Sequence, residues 1–117
     1  MSFLFEELDV YQASLTFVQD IFAVTKEFPK GFSSLSDQLR RAAMSVPANI
    51  AEGQGRFKSG DRTYFMLIAR GSIFECAAHL QVAARLEIIP MKAYLALRDR
   101  AEAIGKMLTV FARRLRG

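Results

Sequence analysis

The sequence predicts an all-α fold, an up-down-up-down antiparallel four-helix bundle, and three observations predict it. Four stretches repeat apolar residues every three or four positions, short turns marked by Gly, Pro or Ser separate them, and no stretch reads as a strand. The length of 117 residues fits one domain spanning residues 1–117 with a single core. An apolar fraction of 51% with ten Phe is high for so small a body, so either the core is unusually rich or some apolar surface is covered by another chain, and the second is expected.

Helix 1 begins near Leu8, where Leu8, Tyr11, Leu15, Val18 and Phe22 follow the helical period beside a second line, Val10, Ser14, Phe17, Ile21, Val24 and Phe28. Pro29-Lys30-Gly31 is expected to end it, because Pro lacks the backbone donor and Gly tolerates left-handed geometry. Ser33 or Ser34 is the expected cap of helix 2, whose stripe is Leu35, Leu39, Ala42, Val46 and Ile50. Pro47 lies inside that helix and is expected to kink or break it, since an interior proline costs about 3 kcal/mol.

The connection GQGRFKSG leads to helix 3, expected from about Asp61 to Leu86 with Ser59 as its cap. Helix 3 carries two apolar sides: Phe65, Ile68, Ser72, Cys76, His79, Ala83 and Leu86 on one, and Tyr64, Leu67, Gly71, Phe74, Ala78 and Val82 on the other. Pro90 opens helix 4, where Leu97, Ala101, Ile104, Leu108, Phe111 and Leu115 form a single stripe.

Charge is unevenly spread. Residues 1–25 hold Glu6, Glu7, Asp9 and Asp20 and no Lys or Arg, whereas residues 91–117 hold seven Lys and Arg against Asp99 and Glu102. Such asymmetry means either an anionic partner for the basic end or a meeting of the two ends. In the predicted topology Arg56, Lys58, Arg62, Arg113, Arg114 and Arg116 gather at one end, making them the candidate nucleic-acid-binding residues. Glu6, Glu7 and Asp9 arrive at the same end and oppose that reading.

Helices 2 and 3, read as a hairpin centred near Phe57, suggest a polar network of Arg41, Ser45, Asn49, Glu52, Arg70, Ser72 and Glu75. Arg41 with Glu75 is the expected ion pair, Ser45 comes level with Arg70, Asn49 with Phe65 and Glu52 with Arg62. Asn49 is also placed to bond a backbone group left open by Pro47. The network reads either as a device that sets packing register or as a binding or catalytic site.

Catalytic, metal and cofactor readings find no residue set. Glu75, Cys76 and His79 share a turn, but di-iron bundles need Glu-x-x-His on two helices, and this chain has one His. Gly53-Gln54-Gly55 follows no strand and has Lys58 where a dinucleotide fingerprint has its third glycine. Cys76 alone forms no internal disulfide, the N-terminus lacks a charged and apolar leader, and charges interrupt every apolar run short of a membrane span. A cytoplasmic, non-enzymatic protein is expected.

The segment QLRRAAMSVPANIAEGQGR, Gln38 to Arg56, followed by FMLIARGSIFE, resembles the bacterial four-helix bundle protein family. That family includes proteins encoded by intervening sequences within bacterial large-subunit ribosomal RNA genes. The resemblance runs from LDVYQAS at Leu8 to the Leu-Glu-Ile after helix 3, and helix 4 follows it in pattern. Gln54 stands where the family usually has an aromatic residue, and Val10-Tyr11 where it commonly has tryptophan. The resemblance implies a ring-like homopentamer without established enzymatic activity. A looser resemblance, to the accessory proteins of diversity-generating retroelements, implies RNA or DNA and a reverse transcriptase as partners. A fivefold ring would bring about thirty of the candidate cations to one rim. The alternative is an oligomeric protein–protein scaffold that binds no nucleic acid.

Overall fold

The structure, a computed structural model, describes residues 3–116. After a 3-10 turn at Leu4–Glu7 come α1 (Asp9–Thr25), α2 (Ser33–Gln54), α3 (Ser59–Arg85) and α4 (Met91–Arg116), with no strand among the described residues. Each helix packs on its sequence neighbours and α1 closes the ring on α4, giving the predicted antiparallel four-helix bundle, 45 × 28 × 21 Å. Phe17 and Ile21 of α1, Leu39, Val46 and Ile50 of α2, Met66, Ile73 and Leu80 of α3, and Leu108 of α4 are wholly buried between them. Each such side chain stabilises the fold by roughly 1.5–3 kcal/mol relative to exposure.

The N-terminal turn is held on α1 by Gln12 Nε2, which donates to the Glu6 carbonyl at 2.9 Å, and by the Phe5 ring set edge-on to Tyr11. α1 stops at Thr25, earlier than the proline predicts. Thr25 Oγ1 donates to the Ile21 carbonyl at 2.7 Å, and the next amides, Glu27 and Phe28, turn to carbonyls three residues back. A hydroxyl that competes for helical carbonyls, followed by a tightening turn, ends the helix before Pro29 is reached. Phe28 therefore packs from the connection, and Gly31 supplies the left-handed residue, φ 98°.

None of Ser33, Ser34 and Ser59 caps its helix as expected. Ser33 is already helical and the cap position falls on Phe32, and at α3 it falls on Lys58, neither with a side-chain capping bond. The α3 start is instead tied by Thr63 Oγ1, which donates to the Ser59 carbonyl at 2.9 Å. α2 runs unbroken through Pro47, whose ring is buried. Pro47 leaves the carbonyl four residues back, at Ala43, without its helical donor. Asn49 does not reach that carbonyl: its Nδ2 donates to Ser45 O at 2.8 Å.

The α3–α4 turn is a Schellman motif built on a residue other than glycine. Glu87 takes φ 58°, its amide donates to Ala84 O, and the amide of Ile88 donates to Ala83 O. Pro90 then accepts the Tyr94 amide at 3.0 Å, the first bond of α4.

Candidate functional site

The polar seam between α2 and α3 contains three of the seven expected residues. Ser45 Oγ and Ser72 Oγ share a hydrogen bond of 2.8 Å, and Asn49 Nδ2 reaches Ser45 Oγ at 2.9 Å as well as Ser45 O. One turn further along, the backbone of α2 at Gly53 packs directly against α3 side chains. A Cβ there would lie 2.7 Å from Met66 Cε and 2.8 Å from Phe65 Cβ.

The other four residues turn elsewhere. Glu75 pairs with His79 Nε2 at 3.1 Å on its own helix, and Arg41 is exposed, so the expected Arg41–Glu75 pair does not form. Both lie toward the outside of the seam that the serines fill, and His79 is the partner one turn away. Glu52 pairs with Arg56 at 2.6 Å rather than with Arg62, whose Nε donates to the Arg56 carbonyl, also at 2.6 Å. Arg70 faces α4 instead of Ser45: its Nε donates to Thr109 Oγ1 at 2.8 Å and its guanidinium lies over the Phe74 ring.

The basic end is divided rather than gathered into one patch. The Arg70–Thr109 bond and the approach of Gly105 to Ile73 and Phe74 set the α3–α4 register, which brings Arg113, Arg114 and Arg116 level with the first turns of α3. Arg113, however, lines the hollow between α3 and α4 with Arg70 and Phe74, while Arg114 lines the hollow between α4 and α1 with Leu8 and Asp9. Arg56 is partnered by Glu52 and stacks on Phe65, Arg62 ties the turn, and Lys58 is exposed. Elsewhere on the α1–α4 face Arg100 donates to Asp20, so the acidic first helix and the basic last helix meet within one molecule.

A second surface feature is the outward face of α3. Tyr64, Leu67, Phe74 and Val82 are all exposed, and with Gly71 and Ala78 they follow helical spacing on the side of α3 opposite its core line of Ala69, Ile73, Cys76 and Leu80. The second apolar side predicted for α3 is therefore this outward stripe, most exposed at Tyr64, 60%.

Burial, with the nearby Glu75 charge adding to it, pushes the Cys76 thiol up to about 12, far from the reactive thiolate range. Among the described residues no group of His, Cys, Asp and Glu could hold a metal ion, and no helix is long and apolar enough to cross a membrane. Gln54 Nε2 is buried and has no hydrogen-bond partner, at the position where the resemblance expects an aromatic ring.

The fold and its surfaces define a class: a four-helix bundle with a tight α2–α3 hairpin and an apolar outer face. Within that class the match is specific. Residues 6–110 match the 23S rRNA-intervening sequence protein family, and the chain belongs to it. A crystal structure of a protein of unknown function from the S23 ribosomal protein family, from Bacteroides thetaiotaomicron VPI-5482, is similar with a TM-score of 0.82 and 25% identity over 88% of this chain and 97% of that one. No curated protein matches the chain.

Proposed function

We propose that residues 1–117 form one non-enzymatic, cytoplasmic assembly module, whose copies pack together through the outward face of α3. The observation that carries this is the exposed line of Tyr64, Leu67, Phe74 and Val82 opposite the core face of the same helix. A helix apolar on opposite sides is stable in water when both sides are covered, and the bundle covers one. Five copies is the number the family resemblance suggests. Light scattering at micromolar concentration tests it: the expected mass is a multiple, near five, of 13.1 kDa. Tyr64→Glu with Leu67→Glu is expected to give a folded monomer, and a monomeric wild-type chain would sink the reading.

A second reading, contact with RNA or DNA, is favoured by the common level of Arg113, Arg114 and Arg116 with Arg62, and by a family named for the 23S rRNA intervening sequence. Against it stand the engagement of Arg56 by Glu52 and the position of Arg114 beside Asp9. Gel shift of a structured RNA and a DNA duplex at rising salt tests it, with Arg113, Arg114 and Arg116 changed to Glu as the variant. Binding that weakens steeply with salt and is lost in the variant would support this reading, and no shift at low salt would end it.

A further inference from the structure

We propose that the groove between α3 and α4 docks an acidic amphipathic helix of a different protein, which rests on reading this side of the molecule as a protein-binding surface. Three hollows lie in series along that seam, from Leu86 and Met91 through Gln81 and Arg98 to Arg70 and Arg113. Their floor is set by small or buried residues, Ala77, Ala101 and Gly105, and apolar walls outside the stripe of Tyr64, Leu67, Phe74 and Val82 are supplied by Leu86, Met91 and Val110. Along α3 the seam from Arg70 to Leu86 is about 24 Å long, which fits a helix of about 16 residues. Small floor residues let a helix axis approach, and apolar walls take side chains spaced at i, i+3, i+4 and i+7.

The rim determines the charge of the occupant. Arg70, Arg85, Arg98, Lys106 and Arg113 surround Glu102, which is itself paired with Lys106 at 3.3 Å. An occupant with carboxylates flanking an apolar stripe complements that rim. The chain's own acidic helix does not meet the description, because Asp20 of α1 is engaged by Arg100 and Asp9 lies beside Arg114 in the same molecule. A phosphate backbone would satisfy the rim and leave the apolar walls uncovered. The Phe74 face, where a base could stack, is already taken by the Arg70 guanidinium, 4.4 Å from the ring centroid.

The test uses the full chain and a labelled synthetic peptide of about 16 residues, a length taken from the seam. The peptide carries Leu at i, i+4, i+7 and i+11 with flanking Glu, and a control peptide has Lys in place of Glu. Fluorescence anisotropy is expected to show saturable binding of the Glu peptide that weakens as salt rises, and affinity for the Lys peptide lower by about tenfold or more. Arg98→Glu with Arg113→Glu should weaken the Glu peptide by about tenfold as well, whereas Arg41→Glu with Lys30→Glu, on another face, should leave it unchanged. Equal affinity for the two peptides, no binding, or indifference to Arg98→Glu with Arg113→Glu overturns the proposal. So does an RNA hairpin that binds through those same arginines while the peptide is ignored. A monomeric wild-type chain that binds the peptide overturns the assembly reading alone, and an assembled chain that ignores it overturns the docking proposal alone.

Discussion

α3 and α4 are nearly equal in length, 27 and 26 residues, and pack against each other, yet they dispose of their apolar side chains in different ways. α4 buries one line, Leu97, Ala101, Ile104, Leu108 and Ala112, and its opposite side mixes exposed Asp99, Glu102 and Lys106 with exposed Leu95 and Val110. α3 buries an equivalent line and then repeats apolar residues on its far side. An outer side that mixes charges with apolar residues is wetted as it stands, while a continuous apolar stripe still has surface to cover. The proposed assembly surface rests on this difference, because every helix has two helical neighbours and α3 adds a continuous apolar stripe facing away from them.

The comparison first requires that the inner faces be equivalent. Leu80 of α3 and Leu108 of α4 are both wholly buried, and Leu→Ala at either is expected to cost about 2–5 kcal/mol in urea denaturation. A much smaller loss at Leu80 would mean that α3 does not share the core equally, and the contrast between its two sides would lapse.

The next test contrasts the two seams through their glycines. Gly53→Ala forces a Cβ into Met66 and Phe65, and overpacking of this kind is expected to cost about 1–3 kcal/mol. Gly105→Ala places its Cβ at ordinary contact, 3.6 Å from Ile73 and Phe74. Relief of the helical glycine penalty is then expected to raise stability by up to about 1 kcal/mol. Opposite signs in thermal denaturation would establish that α2 and α3 are held closer than α3 and α4, and equal signs would remove that distinction.

These contrasts also separate what was legible in the sequence from what was not. The helical period gave four elements with ends near the observed ones, and the outward stripe of α3 was readable because exposed apolar residues keep the same spacing as buried ones. The buried line of α3 was misplaced: Met66, Ala69, Ile73 and Leu80 fill the core, and of the side expected there, Phe65, Ile68, Ser72, Cys76, His79, Ala83 and Leu86, only Cys76 and Ala83 are buried. The pairing across the α2–α3 seam was less readable. Side chains tilt toward the N-terminus of their own helix, so in an antiparallel pair those of α2 lean away from the turn and those of α3 lean toward it. Ser45 thus meets Ser72, two residues beyond the Arg70 that counting from the turn suggests. Arginine partners were hardest, because a long side chain chooses among several acceptors within reach: Arg70 found Thr109 and Arg56 found Glu52. The six cations placed at one end by topology were divided for a further reason, since successive helix positions point about 100° apart and send Arg113 and Arg114 to different hollows.

A smaller effect distinguishes the buried line of α3 from that of α4, which has no ionisable group. Cys76 keeps its proton in the folded state up to about pH 12, whereas an unfolded thiol loses it near 8.5. The unfolded chain therefore binds fewer protons above that lower value, and stability falls as pH rises between the two. Wild type is expected to lose about 1 kcal/mol relative to Cys76→Ala between pH 8.5 and pH 9.5. Parallel stability curves for the two proteins would show that the thiol is not kept from ionising by the core.

The smallest expected effect lies at the turn that joins the two helices. Glu87 adopts left-handed geometry, φ 58°, to close the Schellman bonds to Ala83 and Ala84. A residue with a Cβ is disfavoured there, and glycine is not. Glu87 is exposed, so replacing it removes strain without opening a cavity. Against that gain, glycine is freer in the unfolded chain, which returns part of it. The balance favours Glu87→Gly by about 0.5–1 kcal/mol, read as a higher midpoint in urea with an unchanged slope. Glu87→Val, β-branched and poorly suited to positive φ, should move the midpoint the other way. If both variants lower stability, the turn is held by a contact of the Glu87 side chain rather than by the backbone bonds, and α3 and α4 are then coupled more tightly at this end than their hydrogen bonds indicate.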